Sequence, residues 1–215
     1  MSDRTFTCFF FDWDGCLADT LPIWHSIYRE LLLRRGIQAD DRAIVRELFN
    51  DWAGPARFGI PDVEGFAAEV QAGLAERIAE VRLHPHAAEI LRELKSRGAR
   101  CAVLTATRRH LVAPVLEREG MAGSLDLLLT LDEVPRYKPD PAIVFRAFET
   151  LDVDPAETVL VGDSSKDLET ARRAGIASAL YFPEGNARYY DLEELRSYRP
   201  DHVVRDFREL LPLAP

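Results

Sequence analysis

The chain has 215 residues, of which 47% are hydrophobic, and a formal net charge of −9. This length suits one large domain, or a core domain that carries a smaller insertion. The acidic balance argues against a nucleic-acid or anionic-membrane partner, because such partners need a basic patch or run and the sequence shows none. We therefore expect the partner to be a small molecule.

The three cysteines, Cys8, Cys16 and Cys101, are widely spaced and match no disulfide or metal-binding pattern, which favours a reducing compartment. The sequence shows no signal-peptide pattern and no apolar run of membrane-spanning length. We expect a cytoplasmic protein that is present as a monomer or a homodimer.

The first predicted strand is the aromatic run "FTCFFFD", which ends on Asp12. A short, continuous apolar run is typical of a strand buried on both faces, as in a parallel sheet. Three helix-period segments follow with no strand between them: "LPIWHSIYRELLLRRG", "DRAIVRELFNDW" and "VEGFAAEVQAGLAERIAEV". We interpret residues 20–83 as a small all-α cap inserted after the first strand, with residues 1–19 and 84–215 forming the core.

Strands and helices alternate after the cap. The predicted helices are "AAEILRELKSRG", "HLVAPVLEREG", "PAIVFRAFETLD" and "DLETARRAG", and each begins at a proline or ends at a glycine or aspartate. Between them lie the predicted strands "CAVLTA", "LDLLLTL" and "TVLVGD", and a late run, "DHVV", is a candidate edge strand. The alternation predicts an α/β fold, a Rossmann-like open parallel sheet with helices on both faces.

Reactive side chains follow the ends of the predicted strands. Asp12 and Asp14 follow the first strand, Thr105 follows "CAVL", Asp163 follows "VLVG", and Lys138 in "RYKPDP" precedes a helix. Ligands of open α/β sheets bind outside the carboxyl ends of the strands, so we expect these groups to converge. A carboxylate held rigidly at the end of a buried strand suits a nucleophile.

Four segments of the sequence resemble motifs of one known family. In order, "DWDGCLADT", "LTATRR", "YKPDP" and "GDSSKDLETARRAG" resemble the four motifs of the haloacid dehalogenase-like hydrolases, and a helical insertion stands where that family keeps its cap. The chain is most similar to the capped phosphatases that resemble phosphoglycolate phosphatase. This resemblance implies a Mg²⁺-dependent phosphatase that hydrolyses a small phosphorylated metabolite, phosphoglycolate or a sugar phosphate, through an aspartyl-phosphate.

The resemblance also implies roles for single residues. Asp12 would be the nucleophile and Asp14 the general acid and base. Mg²⁺ would be bound by the Asp12 carboxylate, the Asp14 backbone carbonyl and the Asp163 side chain. Thr105 and Lys138 would bind the phosphoryl group.

Gly15 is predicted to allow a sharp turn that points neighbouring N–H groups at the phosphate. Ala106 stands where many relatives have asparagine, which removes one polar contact to the substrate. Arg57, the cation of the loop "NDWAGPARFGIP", is predicted to face an anionic or hydroxylated leaving group, and the alternative is a plain connection between two helices.

Asp167 has two interpretations, a Mg²⁺ ligand or the acidic member of a helix capping box with Ser164. Lys166 is expected to be solvated.

Several functions remain open. A β-phosphoglucomutase-like phosphotransferase would keep the same residues and differ in its cap, and a catalytically silent binding protein would use the fold alone. Asp14 argues against a haloacid dehalogenase, which needs no leaving-group acid. A phosphonatase would need a lysine in the cap, and residues 20–83 contain none.

Overall fold

The sheet order places a topological switch point beside the first strand. A computed structural model describes residues 5–49, 51 and 53–215. Six strands of this described part form one parallel sheet in the order β3-β2-β1-β4-β5-β6. They are β1 Cys8–Phe11, β2 Arg100–Leu104, β3 Leu127–Leu129, β4 Thr158–Gly162, β5 Ala177–Tyr181 and β6 His202–Val204. The strand order reverses between β1 and β4, which is where open α/β sheets form a ligand crevice.

Helices cover both faces of the sheet. On β1, Phe9 and Phe11 belong to one buried cluster, whereas Cys8 and Phe10 belong to the other. The first cluster includes α5 (Ala87–Ser96) and α6 (Arg109–Arg118), and the second includes α7 (Ala142–Leu151) and α8 (Ser165–Ala174). Alternate side chains of one strand point to opposite faces, so both faces of the aromatic run are buried. The predicted Rossmann-like α/β fold is confirmed.

The segment between β1 and α5 is helical, as predicted. Its helices are α1 (Leu21–Arg34), α2 (Asp41–Ile44) with a π-helical continuation (Val45–Phe49), α3 (Gly54–Arg57) and α4 (Val63–Glu76). The short helix α3 lies inside the segment "NDWAGPARFGIP", for which the sequence predicts a loop. Asn50 and Trp52 of that segment lie outside the described residues. No helix of the described chain is both long and apolar enough to span a bilayer.

The two connections between the helical segment and the sheet run side by side. Ala18 forms an antiparallel bridge with Leu83, and the N–H of Asp19 donates to the carbonyl of Arg82 at 2.9 Å. This pairing falls beside the predicted boundaries at 19/20 and 83/84. The division into a cap of residues 20–83 and a core of residues 1–19 and 84–215 stays a prediction.

Strand β5 was missed in the sequence, whereas the candidate strand at "DHVV" is confirmed as β6. The β5 sequence, "ASALY", begins with small residues of low strand propensity and carries no alternating pattern. All five of its residues are buried because it pairs with β4 on one side and β6 on the other. Tertiary packing therefore decides this strand. The remaining helix, α9 (Leu192–Arg196), follows it in the C-terminal part of the chain.

Candidate active site

Residues from distant parts of the chain meet at the carboxyl edge of the sheet. Asp12 directly follows β1 and Asp163 directly follows β4, and both are buried. Buried Lys138 joins them from the loop before α7, where its Nζ lies 2.5 Å from Oδ1 of Asp12 and 2.6 Å from Oδ1 of Asp167. The structure thus brings together these four residues that the sequence singled out.

The site holds an excess of negative charge. Carboxylate oxygens of Asp12, Asp163 and Asp167 all lie within 4.8 Å of one another. Burial, assisted by the charge of Asp167, raises the pKa of Asp12 to about 7. Burial, followed by Asp167 and Asp12, also raises the pKa of Asp163 well above its ordinary value. Burial opposes the charge of Lys138, but Asp12 and Asp167 outweigh it and raise the pKa of this lysine.

The described residues fit a divalent cation. Oδ2 of Asp163 is buried and has no hydrogen-bond partner among the described residues. An unpaired buried acceptor is costly, and carboxylate oxygens are the ligands that hard cations such as Mg²⁺ prefer. Two positive charges placed here would offset the repulsion among the three carboxylates.

Asp167 is the acidic member of a helix capping box, and it also contacts Lys138. Its Oδ2 accepts hydrogen bonds from the backbone N–H and the hydroxyl of Ser164, at 3.2 and 2.6 Å, which completes the capping box of α8. Its Oδ1 binds Lys138 within the acidic cluster. Capping a helix and belonging to the charged site are therefore compatible for this residue.

Gly15 is required by the close approach of two loops. Its φ is +75°, and a Cβ atom added there would lie 2.2 Å from Oδ2 of Asp163. Its own N–H donates to the carbonyl of Ala18 at 2.8 Å. The residue permits the turn that was predicted, and its N–H is used within that turn.

Asp14 is held by three donors that sequence reasoning missed. Its Oδ1 accepts from the hydroxyl of Thr20 (2.8 Å) and from Nε1–H of Trp24 (2.7 Å), and its Oδ2 accepts from the hydroxyl of Thr107 (2.6 Å). Thr20 is the N-cap residue of α1, but its side chain makes no capping bond and donates to Asp14 instead. Three donors fix the orientation of this carboxylate beside the acidic cluster.

Thr105 and Ala106 occupy the end of β2 as predicted. Thr105 is buried, and its Oγ1 accepts the backbone N–H of Thr107 at 3.0 Å. Ala106 and Thr107 line the cavity above the sheet. The second threonine of "TAT" was the available signal for the contact with Asp14, because it shares the loop of Thr105.

A cavity separates the strand ends from the helical segment. Its lining includes Asp12, Asp14, Lys138 and Asp163 from the core, and Leu21, Trp24, Tyr28, Leu48, Phe49 and Gln71 from the helices. Lys166 also lines it, contrary to the expectation that this lysine is solvated, and donates to the carbonyl of Phe49 at 3.4 Å. Burial, followed by the charge of Lys138, lowers the pKa of Lys166.

The structure does not bring Arg57 to this cavity. Its guanidinium pairs with Glu47 and, at 2.6 Å, with Asp51, both on its own side of the helical segment. Glu47 and Asp51 thus pair with the charge of Arg57, and the sequence pattern did not indicate these ion pairs.

The C-terminal part of the chain reaches the site. The side-chain amide of Asn186 is buried and donates to the carbonyl of Gly15 at 3.0 Å, and Tyr190 lines the cavity. The backbone carbonyl of Asn186 also accepts the N–H groups of Tyr189 and Tyr190, each at 2.9 Å. No pattern in the sequence indicated the contact between Asn186 and Gly15, because these positions lie 171 residues apart.

Comparisons with known proteins agree with this arrangement. The family model described as haloacid dehalogenase-like hydrolase matches residues 9–181. An N-acetylmuramic acid 6-phosphate phosphatase of Pseudomonas putida is 31% identical over 181 residues, which cover 79% of each chain. Phosphoglycolate phosphatase 1 of Pseudomonas aeruginosa is 25% identical over 217 residues, covering 95% of this chain and 78% of that one. A haloacid dehalogenase-like hydrolase structure from Bacteroides fragilis has a TM-score of 0.85 at 24% identity and covers 96% of this chain and 100% of the other.

The sheet is parallel, and its carboxyl edge carries buried aspartates and a lysine beneath a helical insertion. This arrangement defines a class of hydrolases whose reactive side chains lie at strand ends. The chain belongs to the haloacid dehalogenase-like hydrolase family. The relatives from both Pseudomonas species are named as phosphatases.

Proposed function

We propose that the protein is a Mg²⁺-dependent phosphatase that hydrolyses a small phosphate monoester through an aspartyl-phosphate on Asp12. The observation that carries the proposal is the cluster of Asp12, Asp163 and Asp167 around Lys138 at the switch point of the sheet. The orphaned oxygen of Asp163 supports a cation in this cluster. Asp12 and Asp163 would hold Mg²⁺ through their carboxylates and Asp14 through its backbone carbonyl, with Asp167 as a further candidate ligand.

Bound Mg²⁺ would supply positive charge that keeps Asp12 ionised and offsets charge on the phosphoryl oxygens. Asp12 needs this help, because burial and Asp167 raise its pKa to about 7. Lys138 also favours the ionised form of Asp12, because its Nζ contacts Oδ1 of that carboxylate. An ionised Asp12 lining the cavity attacks phosphorus.

The first half of the reaction forms a bond between a carboxylate oxygen of Asp12 and phosphorus and breaks the bond from phosphorus to the ester oxygen. Asp14 gives its proton to that departing oxygen. In the second half a water molecule attacks the aspartyl-phosphate, Asp14 takes a proton from it, and inorganic phosphate leaves with Asp12 restored. The donors Thr20, Trp24 and Thr107 orient Asp14 for both transfers.

The remaining predicted residues have supporting positions. Lys138 would neutralise the transferred phosphoryl group, and Thr105 would donate its hydroxyl to a phosphoryl oxygen while accepting the N–H of Thr107. Gly15 lets the loop lie against Asp163, and Ala106 forms a small, apolar part of the lining. The helical segment would act as the cap that excludes water from the cavity.

The proposal is tested by phosphate release from a panel of small phosphate monoesters, with Mg²⁺ and with EDTA. We expect release that requires Mg²⁺ and is abolished by Asp12→Asn, which removes the nucleophilic charge but keeps the side-chain shape. The matched control is Asp152→Asn, the same change at an exposed position outside the cavity. Full activity of Asp12→Asn would refute the assigned nucleophile, and activity in EDTA would refute the metal. Conversion of a sugar phosphate into its isomer without phosphate release would favour the phosphomutase.

A further inference from the structure

The helical wall of the cavity is uncharged. Leu21, Trp24 and Tyr28 follow one another on α1 at spacings of three and four residues, which places them on one face of the helix. Gln71 on α4 completes this wall. Among the described lining residues every charged side chain comes from the core side, beside the carboxylates.

Gln71 has an unused hydrogen-bonding group in this wall. Its Oε1 is buried and has no partner among the described residues. Val70 and Leu74, its neighbours on α4, are buried, so this part of the helix is packed into the core. Helices α1 and α4 also pack closely, since a Cβ atom on Gly73 would lie 3.0 Å from Cγ2 of Ile27. A buried amide oxygen without a partner is unfavourable, and a ligand that donates a hydrogen bond removes the penalty.

The neighbouring aromatic residues define what the ligand presents to this wall. Nε1–H of Trp24 is occupied by Asp14, which leaves the rest of the indole as an apolar surface. Tyr28 stacks against Trp24 with ring centroids 6.2 Å apart and an interplanar angle of 28°. Flat aromatic surfaces beside one amide suit a group that has apolar C–H faces and hydroxyls at its edge.

A negatively charged leaving group suits this wall poorly. Lys138 is bound to Asp12 and Asp167, and Lys166 of α8 donates its Nζ to the backbone carbonyl of Phe49. Arg57 is held away by its two acidic partners. A carboxylate packed on the face of Leu21, Trp24 and Tyr28 would lose water, and these three side chains offer no cation in return, which is unfavourable.

We infer that Gln71 is a specificity residue that hydrogen-bonds an uncharged, hydroxylated leaving group, of the polyol or sugar type, while the apolar faces of that group pack on Trp24 and Tyr28. This inference rests on the proposed function, because it names the substrate class of the same cavity. Gln71 acts on the leaving group alone, so its contribution depends on which ester is bound.

The test compares Gln71→Met with the wild type on three kinds of ester. The first is the best hydrolysed of glucose 6-phosphate, ribose 5-phosphate and glycerol 3-phosphate, the second is phenyl phosphate, and the third is phosphoglycolate. Methionine keeps the length of glutamine and removes its amide. The matched control is Gln38→Met, the same substitution at an exposed position of the helical segment.

We expect Gln71→Met to lower kcat/KM for the hydroxylated ester about tenfold, the effect of losing one good hydrogen bond. Phenyl phosphate, which offers no hydroxyl, should change less than about twofold on the same reasoning. Gln38→Met should leave both values unchanged, and thermal denaturation checks that each variant is folded.

Equal losses on hydroxylated and phenyl esters, or no loss on either, would overturn the role of Gln71. Wild-type preference for phosphoglycolate would overturn the uncharged leaving group while leaving the phosphatase intact. No hydrolysis of any ester by the wild type would instead overturn the proposed function, and the inference about Gln71 with it.

Discussion

Replacing Gly15 by alanine perturbs the site through two separable effects. At φ +75° an alanine adopts a left-handed conformation, which costs about 1–2 kcal/mol. Its Cβ would also lie 2.2 Å from Oδ2 of Asp163 and 2.9 Å from Cδ2 of Leu21, so a buried side chain must move. Overpacking of this kind costs about 1–3 kcal/mol. We therefore expect Gly15→Ala to lower the free energy of unfolding by about 2–5 kcal/mol, the sum of the two effects.

Gly98→Ala isolates the first effect. Gly98 has φ +84°, and a Cβ atom there would meet nothing within 4 Å, so only the backbone cost of about 1–2 kcal/mol applies. Urea denaturation measures both variants, and phosphatase assays with Mg²⁺ measure the displacement of Asp163. We expect Gly98→Ala to keep its activity and Gly15→Ala to lose about 100-fold or more, or about 2.7 kcal/mol of transition-state stabilisation. Equal stability and equal activity in the two variants would refute the close approach of Gly15 and Asp163.

Three further predictions concern two hydrogen bonds near the site and the burial of the cysteines. Asn186→Ala removes the donor to the Gly15 carbonyl, so we expect a higher half-saturating Mg²⁺ concentration as well as about 1–2 kcal/mol of lost stability. The control Ser178→Ala loses a partly buried hydrogen bond to Asp201 outside the cavity and should lower stability alone. An unchanged Mg²⁺ response in Asn186→Ala would contradict the role of Asn186 in positioning the Gly15 loop. Trp24→Phe removes one of the donors to Asp14 and should lower kcat about tenfold with a smaller change in KM; an unaltered kcat would show that this donor is dispensable. Burial raises the pKa values of the Cys8 and Cys101 thiols to about 12 and that of the Cys16 thiol well above its ordinary range. A thiol reagent at pH 8 should therefore label none of these cysteines in the native protein and all three in guanidinium. Rapid labelling of the native protein would contradict their burial.

Local patterns in the sequence were sufficient to predict five of the six strands that the structure describes and the edge at which the acids meet. Asp12 and Asp163 each follow a continuous apolar run, and parallel strands bring their carboxyl ends to one edge whatever the order of the strands. The capping box of Ser164 and Asp167 was also predictable, because both residues belong to the same helical turn. Such features depend on neighbours in the chain, so they can be recognised before the fold is known.

Other features depended on what approaches from elsewhere in the fold. Strand β5 has little intrinsic strand propensity and forms because β4 and β6 pair with it. Arg57 was predicted to reach the leaving group, but Glu47 and Asp51 lie close enough to bind it first. Lys166 was expected in solvent, yet the helical segment covers it.

The surroundings of Asp14 show most clearly which features depend on local sequence and which depend on tertiary packing. The sequence by itself marked this carboxylate as reactive, through its spacing from Asp12 and its place after the first strand. Only the tertiary structure supplied its donors, which come from α1, from the residue before it and from the loop after β2. Strand and helix patterns repeat at fixed intervals because backbone geometry repeats, whereas hydrogen bonds between distant side chains follow no interval and are fixed by packing alone.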